Sequence, residues 1–203
     1  MQYVNWHEAV AFTIALSEAE GLAPCFTCTG TAPEFDCELD AAYATPYDCD
    51  GYRLPTEAEY EYAIRAGEQA AFPNGGNLLS GDEKSCDGPV VLDNGTELGD
   101  FSWYCGNSDS TIHSVGILEP NNWGLYDVLG NVAEWACDEY AYYTSDSVVD
   151  PFASDMLWTS SRKIFRGGRY DETPDYVRSA ERMTSSPTSR YIDIGLRVAR
   201  THR

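Results

Sequence analysis

Three segments decide the fold of this chain: GYRLPTEAEYEYAIRAG at residues 51–67, NNWGLYDVLGNVAEW at 121–135, and FRGGRYDETPDYVRSAERMTSSPTSRYIDIGLRVAR at 165–200. The first predicts an amphipathic helix, in which Thr56 caps the start and Glu59 closes a capping box. The other two place glycine, asparagine and proline, which favour turns, between short apolar runs. We therefore expect short strands and long loops after this helix.

A second amphipathic helix is predicted upstream of these segments, over residues 5–20. Asn5 can cap it, Glu8 completes another capping box, and Gly21 supplies the stop. An apolar stripe runs along one side of this helix and is expected to be buried. The stripe consists of Val10, Ala11, Ile14, Ala15 and Leu16, and the inner face of the helix within 51–67 consists of Tyr60, Ala63 and Ile64.

Four of the seven cysteines lie between residues 25 and 49, in a segment at about 22–51 that is expected to form an irregular insertion. A zinc knuckle would need two closely spaced pairs, and the second pair here is widely spaced. Disulfides are the better interpretation, and they indicate an oxidising compartment, so an extracellular, periplasmic or cell-surface location is expected. No signal peptide follows Met1, so we expect a trimmed chain or a leader that has been removed. The odd cysteine implies a thiol that is free or bonded to another chain.

Residues 68–122 show no sustained helical or strand period, and their loop signals include PNGGN, SGDE and EPNN. A connection of this length is unusual in a compact domain, so disulfides or bound metals are expected to hold it. Short strands are expected at residues 123–139, 162–168 and 190–200. No internal repeat is visible, and residues 1–203 are predicted to form a single domain.

The charge of the chain is strongly asymmetric. Residues 1–161 hold 28 acidic and three basic residues, whereas residues 162–203 hold five acidic and ten basic residues. The net charge of −20 disfavours binding to nucleic acid and to anionic membranes. No apolar stretch is long enough to insert across a bilayer. The basic C-terminal part is expected to pack against the acidic remainder.

The three segments, in this order and spacing, resemble the signature of the formylglycine-generating-enzyme (sulfatase-modifying factor) family. The resemblance covers most of the chain. It implies an α+β domain with a variant of the C-type-lectin fold, which has two helices, a small twisted antiparallel sheet and long irregular loops. The capped helices, late strands and pinned loops that the residues predict agree with that fold.

A calcium site is the first functional feature that the resemblance implies. Members of the family bind calcium through the motif that reads DVLGNVAE here, with side-chain oxygens at its ends and backbone carbonyls between them. Carried over residue by residue, the ligands are Asp127, Gly130, Val132 and Glu134, an oxygen set that suits calcium. In the alternative interpretation, the two carboxylates cap turns or pair with arginines such as Arg166 or Arg197.

Catalysis in the family depends on two cysteines that follow a GG-x-Y turn and bind copper. In this sequence the two places fall on Glu172 and Val177, and neither supplies the thiolate that Cu(I) needs. No catalytic residue is therefore predicted, and formylglycine synthesis is not expected. Related iron oxygenases need a histidine-rich site, which His7, His113 and His202 do not define. A metal-dependent oxidase with some other metal arrangement stays open as an alternative.

A candidate binding surface remains at residues 170–193, where polar and aromatic residues alternate with framework residues that match the family. In the implied fold this segment lines the ligand-binding face, and tyrosine, serine and aspartate suit recognition. We therefore expect a non-catalytic, calcium-stabilised domain that binds a protein or a glycan. The same pattern resembles variable proteins that retroelements diversify, and a purely structural module of a larger surface protein is a third possibility. The predicted ligand-binding residues are Tyr170, Glu172, Asp175, Tyr176, Met183, Ser185, Tyr191 and Asp193.

Overall fold

The computed structural model of the chain describes residues 2–154 and 162–202, and within them the fold is α+β, as predicted. Helices α1 and α2 span Trp6–Ala19 and Glu57–Arg65. Among these residues, neither helix combines the length and the apolar composition that crossing a bilayer requires. The strands are short: β1 Phe26–Thr29, β2 Asp36–Leu39, β3 Tyr52–Arg53, β4 Ala133–Glu139, β5 Lys163–Arg166, β6 Met183–Ser185, β7 Ile194–Leu196 and β8 Ala199–Arg200.

Helix α1 begins directly after Asn5, as predicted. The Asn5 side chain accepts a hydrogen bond from Glu8 N (2.8 Å), and the Glu8 carboxylate accepts one from Asn5 N (2.9 Å). This capping box satisfies two backbone amides that the helix leaves without intrahelical partners. At the other end Gly21 has a φ of 71°, which is the left-handed conformation that commonly follows a helix.

The buried side of α1 differs from the predicted apolar stripe. Val10 is buried as predicted, but Thr13 and Ser17 are buried with it. The hydroxyl of Thr13 donates to Val10 O (2.8 Å), and that of Ser17 donates to Thr13 O (2.9 Å). Because each hydroxyl bonds a carbonyl of its own helix, it can be buried without an unsatisfied polar group. The other members of the stripe, Ala11, Ile14, Ala15 and Leu16, are half-buried or exposed.

The Cys-rich insertion is more regular than predicted, because it contains an antiparallel hairpin. In this β1–β2 hairpin Cys28 lies opposite Cys37, and a disulfide joins the two. A second disulfide joins Cys25 to Cys49. His7 of α1 accepts a hydrogen bond from Cys37 N at Nδ1 (3.0 Å), so it ties the helix to the hairpin. Burial lowers the pKa of His7 below its usual value, which agrees with a neutral, structural imidazole.

The chain divides into two compact units, each of which combines separate stretches of sequence. The first unit consists of Met1–Ala58, Glu134–Phe165 and Met183–Arg203. Its four-stranded sheet has the order β6-β5-β4-β7, and β3 pairs with β8 in a separate two-stranded sheet. Trp135 of β4 packs edge-on against Phe165 of β5, with 5.5 Å between ring centroids. Strands β4, β5, β7 and β8 lie within the ranges predicted to form strands.

The second unit consists of Glu59–Ala133 and Arg166–Arg182. It contains the long loop region 68–122, in which a 3₁₀ turn at Leu98–Asp100 is the one named helix or strand. A disulfide between Cys86 and Cys105 cross-links this region, as the sequence predicted for a loop of such length. A hydrophobic core cluster holds it as well, and consists of Tyr60, Ile64, Phe72, Val90, Leu92, Leu98, Phe101, Tyr104, Val128, Leu129 and Val177. The one cysteine outside the three disulfides is Cys137, which is buried.

The start of α2 depends on a residue far away in the sequence. The backbone N of Glu57 donates to Oδ2 of Asp138 in β4 (2.7 Å). The other carboxylate oxygen of Asp138 accepts from Ala153 N (3.2 Å). Burial raises the pKa of Asp138 to about 6, although both hydrogen bonds favour the charged form.

Ion pairs join the basic C-terminal part to the acidic remainder, as the charge distribution predicted. Three such pairs lie within the first unit, and one lies within the second. In each case the basic residue is at or after residue 163 and the acidic one before 140. The pairs are Glu8–Arg190, Glu134–Arg197, Glu139–Lys163 and Glu61–Arg166.

Candidate functional site

The loop after β5 contains the two positions at which the family resemblance would require cysteines. Glu172 forms an ion pair there: its carboxylate accepts hydrogen bonds from the backbone N (3.0 Å), Nε (2.9 Å) and Nη2 (2.5 Å) of Arg169. Burial raises the pKa of Glu172 above its usual value, although Arg169 opposes this change. Val177 is fully buried in the core cluster of the second unit. Neither position supplies a sulfur ligand.

Gly168 explains how the loop brings Val177 into the core. Its φ is 73°, and a Cβ at this position would lie 2.6 Å from Tyr176 O and 2.7 Å from Val177 Cγ1. Only glycine, which has no Cβ, fits at position 168 against the 3₁₀ turn at Pro174–Tyr176 and the residue after it. Gly168 therefore serves the close packing of this loop, which is a structural requirement independent of any metal.

Four hydrogen bonds to backbone atoms fix residues 170–175 against other loops of the second unit. These bonds hold the backbone of residues 170–175. The side chain of the next residue, Tyr176, is 45% exposed and available for contact. Asp175 is less available, because its Oδ1 accepts from Thr173 Oγ1 (2.5 Å). The four bonds are Tyr170 N to Asn131 O (3.0 Å), Ser108 Oγ to Tyr170 O (2.7 Å), Cys105 N to Glu172 O (3.0 Å) and Asp175 N to Glu83 O (3.0 Å).

A stacked aromatic pair supports the same loops, and sequence reasoning did not identify it. The rings of Trp103 and His113 are parallel to within 8°, with 3.7 Å between centroids. The Asn131 side chain bonds both backbone groups of His113, accepting from its N (3.0 Å) and donating to its O (3.1 Å). His113 Nε2 lies 2.8 Å from Ser108 O. Because these contacts occupy His113, its role in the second unit is structural.

The remaining predicted ligand-binding residues belong to the first unit. Met183 and Ser185 lie on β6, which pairs with β5 so that Lys163 is opposite Ser185. Ser185 is buried, and its hydroxyl lies 3.0 Å from the hydroxyl of Tyr191. This hydrogen bond lowers the pKa of Tyr191, whose side chain is 40% exposed. Asp193 is buried, so Tyr191 presents the most accessible side chain of the four.

The residues of the predicted calcium motif are divided between the two units. Asp127, in the second unit, has a φ of 52°, and its Oδ2 accepts from Gly116 N (2.6 Å). Gly130 has a φ of 72°, and its N donates to Gly167 O (2.7 Å). Val132 is partly buried, and in the sequence it comes directly before strand β4. These residues offer one carboxylate and two backbone carbonyls, which are ligands of the kind that calcium accepts.

Glu134, in the first unit, is engaged by an arginine. Its Oε2 accepts from Arg197 Nε (2.7 Å) and its Oε1 from Arg197 Nη2 (3.0 Å), a two-pronged ion pair. The pairing with Arg197 that the sequence raised as an alternative is therefore present. A calcium ion that used Glu134 would have to share this carboxylate with a guanidinium. Within residues 2–154 and 162–202, no group of three or more His, Cys, Asp and Glu side chains is arranged to hold a metal ion.

Comparison with known protein families gives one match over nearly the whole chain. Residues 1–202 match the family described as the sulfatase-modifying factor enzyme 1-like domain. The formylglycine-generating enzyme of Streptomyces coelicolor is 34% identical over 160 residues, which are 73% of this chain and 46% of that protein. A Mus musculus protein named inactive C-alpha-formylglycine-generating enzyme 2 is 29% identical over 156 residues, which are 73% of this chain and 43% of that protein. This chain thus spans less than half the length of both relatives.

Among solved structures, Treponema denticola variable protein 1 superposes with a TM-score of 0.75 and 30% sequence identity. The superposition covers 100% of this chain and 71% of that protein. PvdO from Pseudomonas aeruginosa has 25% identity and a TM-score of 0.67. The superposition covers 98% of this chain and 61% of the PvdO chain. The likeness in structure therefore extends over nearly the same range as the family match at residues 1–202.

Proposed function

Because this chain belongs to the family of sulfatase-modifying factor enzyme 1-like domains, we propose that it is a non-catalytic domain which binds a protein or glycan through residues between 170 and 193. The observation that carries the proposal is the state of the two positions that hold cysteines in active members. Glu172 is in an ion pair with Arg169, and Val177 is part of the hydrophobic core. A core valine cannot be exchanged for a metal ligand without a new cavity or an unpaired polar atom.

Two relatives support a role for this fold apart from catalysis. The mouse relative carries the word inactive in its name, and the Treponema protein is named a variable protein. The three disulfides suit an oxidising compartment, and we place the domain outside the cytoplasm, in the periplasm, on the cell surface or in the extracellular space.

The recognition chemistry would come from two exposed tyrosines. Tyr176 and Tyr191 are 45% and 40% exposed, and each lies on a backbone that hydrogen bonds hold in place. Tyrosine gives a large contact area and a hydroxyl group while losing little conformational entropy. The more buried residues of the predicted set, such as Ser185, would then position these tyrosines rather than contact the ligand directly.

We expect the substitution of both Tyr176 and Tyr191 by alanine to weaken binding by about tenfold or more, because exposed tyrosines dominate many recognition surfaces. The measurement is a glycan array and a panel of secreted proteins probed with the whole chain, followed by dissociation constants for the best binder. Tyr62→Ala is the matched control, since Tyr62 is 69% exposed and lies outside residues 170–193. Equal affinities for the double variant and the wild type would refute this surface.

The loss of catalysis has its own test. Incubation with a cysteine-containing sulfatase peptide under air, followed by mass spectrometry, should return the peptide with its thiol intact. A product with formylglycine in place of cysteine would establish the metal-dependent oxidase that the sequence left open, and the proposed function would fall.

A variable receptor is the second candidate, and the likeness to the Treponema variable protein favours it. A retroelement that diversifies such a receptor keeps a template copy of the segment that it rewrites. A near-copy of the DNA for residues 165–200, beside a gene for a reverse transcriptase, would establish this form of the receptor. Its absence from the neighbouring DNA would remove it.

We further propose that calcium stabilises the domain at Asp127, Gly130, Val132 and Glu134. Removal of calcium should then lower the melting temperature by about 5–10 °C, the range expected for a site saturated about 100-fold above its dissociation constant in a chain of this size. The measurement is a thermal melt in calcium and in chelator, with elemental analysis of the undialysed protein. Asp127→Asn, which retains an acceptor for Gly116 N, should abolish the difference, and Asp87→Asn should not. Identical melts of the wild type in the two buffers would exclude the site.

A further inference from the structure

A groove lies within the first unit, between α1 and the β1–β2 hairpin. Its volume is about 490 Å³, which is enough for one or two large side chains of a ligand. It lies apart in the sequence from residues 170–193, and none of the residues that line it belongs to the predicted binding surface. The lining residues are Ala11, Ile14, Ala15, Glu18, Pro24, Phe26, Thr27, Cys28, Phe35 and Asp40.

The apolar wall of this groove is the part of the α1 stripe that the core does not use. Ala11 and Ile14 are only partly buried and Ala15 is exposed, although their spacing is that of a core-facing stripe. Phe26 and Phe35 face this stripe from the hairpin side. A helix that leaves such a stripe beside aromatic side chains presents an apolar surface suited to contact with another molecule.

The rim of the groove is acidic. Glu18 and Asp40 are the two charged residues among those that line it. Arg190, which donates to Pro33 O in the hairpin loop, is paired with Glu8. Glu18 also lies in the last turn of α1, which has no basic residue. The C-terminal end of a helix carries a partial negative charge, so a carboxylate there is unfavourable and a cation nearby is favourable. The charge at this rim complements a basic ligand.

The hairpin wall is held rigidly. The disulfides Cys28–Cys37 and Cys25–Cys49 close it, and the hydrogen bond from Cys37 N to His7 attaches it to α1. A groove with fixed walls loses little conformational entropy when a ligand enters. The position of the hairpin therefore pre-forms the site.

We propose that this groove binds a segment of a partner protein in which a bulky apolar side chain is flanked by lysine or arginine. The apolar side chain enters between Ile14 and Phe35, and the basic residues reach Glu18 and Asp40. None of the lining residues belongs to the surface at residues 170–193, so the proposal does not depend on the function proposed for that surface.

The test uses amide chemical shifts of the whole isotopically labelled chain, titrated with the peptide acetyl-Arg-Leu-Phe-Arg-amide. Shift changes should cluster at the groove residues and saturate. The acidic peptide acetyl-Glu-Leu-Phe-Glu-amide and the polar peptide acetyl-Arg-Ser-Ser-Arg-amide should each bind at least about fivefold more weakly, since each lacks one of the two complementary features. Absence of saturable shifts at the groove, or equal binding of the three peptides, would overturn the proposal.

Two helix variants make the test specific to the groove. Ala15→Trp fills the groove from an exposed helical position. It should weaken binding of the basic peptide by about tenfold or more, because the ligand can no longer bury its apolar side chain there. Ala19→Trp is the control, because Ala19 is exposed on the same helix but does not line the groove. The tyrosine double variant should bind the peptide like the wild type. Self-association of the wild type that Ala15→Trp abolishes would show a second copy in the groove, and the partner proposed here would be wrong.

Discussion

Replacement of Gly130 by alanine is expected to lower the free energy of unfolding by more than about 3 kcal/mol. A Cβ at this position would lie 2.0 Å from Trp103 O and 2.7 Å from Ser102 Oγ. The nearer atom belongs to the backbone, and that backbone is fixed: Trp103 O accepts from Asn131 N (3.0 Å), and the Trp103 ring stacks on His113. The clash therefore cannot be relieved by the rotation of one side chain.

The control for this prediction is Gly116→Ala. Gly116 has a φ of 74°, almost the same as the 72° of Gly130, but a Cβ there would meet nothing within 4 Å. Its cost should therefore be only that of a left-handed alanine, about 1–2 kcal/mol. Both variants are compared with the wild type by urea unfolding in chelator, so that calcium binding does not contribute. If the two variants unfold at the same denaturant concentration, the close approach at Gly130 contributes nothing and our explanation is wrong.

The two helices were predictable because their signals are local. The capping box of α1 needs only Asn5 and Glu8, and both hydrogen bonds form within one turn. The side of α1 that is buried was not predictable in the same way, because it depends on what packs against it. Hydropathy assigns Thr13 to the surface, whereas its hydroxyl bonds Val10 O and the residue is completely buried. Apart from Val10, the predicted stripe was wrong for this reason, and its residues Ala11, Ile14 and Ala15 line a groove instead.

Long-range contacts explain what the sequence missed at the candidate site. The Arg169–Glu172 pair is local, with the two residues three apart, but the core packing of Val177 is visible only in the structure. Likewise, no local pattern links Asp138 to the start of α2 across 81 residues. The stack of Trp103 on His113 is also invisible to local patterns, since the nine residues between the two form no named helix or strand. Spacing in the sequence carries no information on such contacts.

Replacement of Arg166 by methionine is expected to lower the free energy of unfolding by about 3–5 kcal/mol, because three carbonyl groups each lose a donor at a cost of about 1 kcal/mol or more. Glu61, the partner of Arg166 in its ion pair, keeps a second pair with Arg65. The Arg166 side chain is completely buried. Its Nη1 donates to Ala180 O (3.0 Å) and Glu181 O (2.6 Å), and its Nη2 donates to Ser179 O (3.0 Å) and to the Glu61 carboxylate (2.5 Å). Methionine fills similar space but donates none of these hydrogen bonds, so three carbonyl groups lose a donor.

Arg178→Met is the matched control, since Arg178 pairs with Glu181 and donates to Asp175 O (2.5 Å) but has a side chain that is 42% exposed. Its cost should be no more than about 1 kcal/mol, because water screens the pair and solvates both groups after the change. Arg166→Lys should fall between the two variants: it keeps the charge, but a single ammonium group cannot reach four acceptors in the planar arrangement of a guanidinium. Urea unfolding with a common slope for all four proteins is the measurement.

The ranking of these variants tests whether Arg166, which matches the family pattern in segment 165–200, has a structural role. Arg166 binds the carbonyls of Ser179 to Glu181 and so fixes the stretch that follows Tyr176, with no contact that requires a metal. If Arg166→Met is as mild as Arg178→Met, the buried network does not hold this stretch, and the sequence pattern shared with the family would need a functional rather than a structural explanation. A large loss for Arg166→Met alone would mean that the pattern specifies the fold. In that case it could persist in a chain with Glu172 and Val177 at the two positions where the family resemblance would require cysteines.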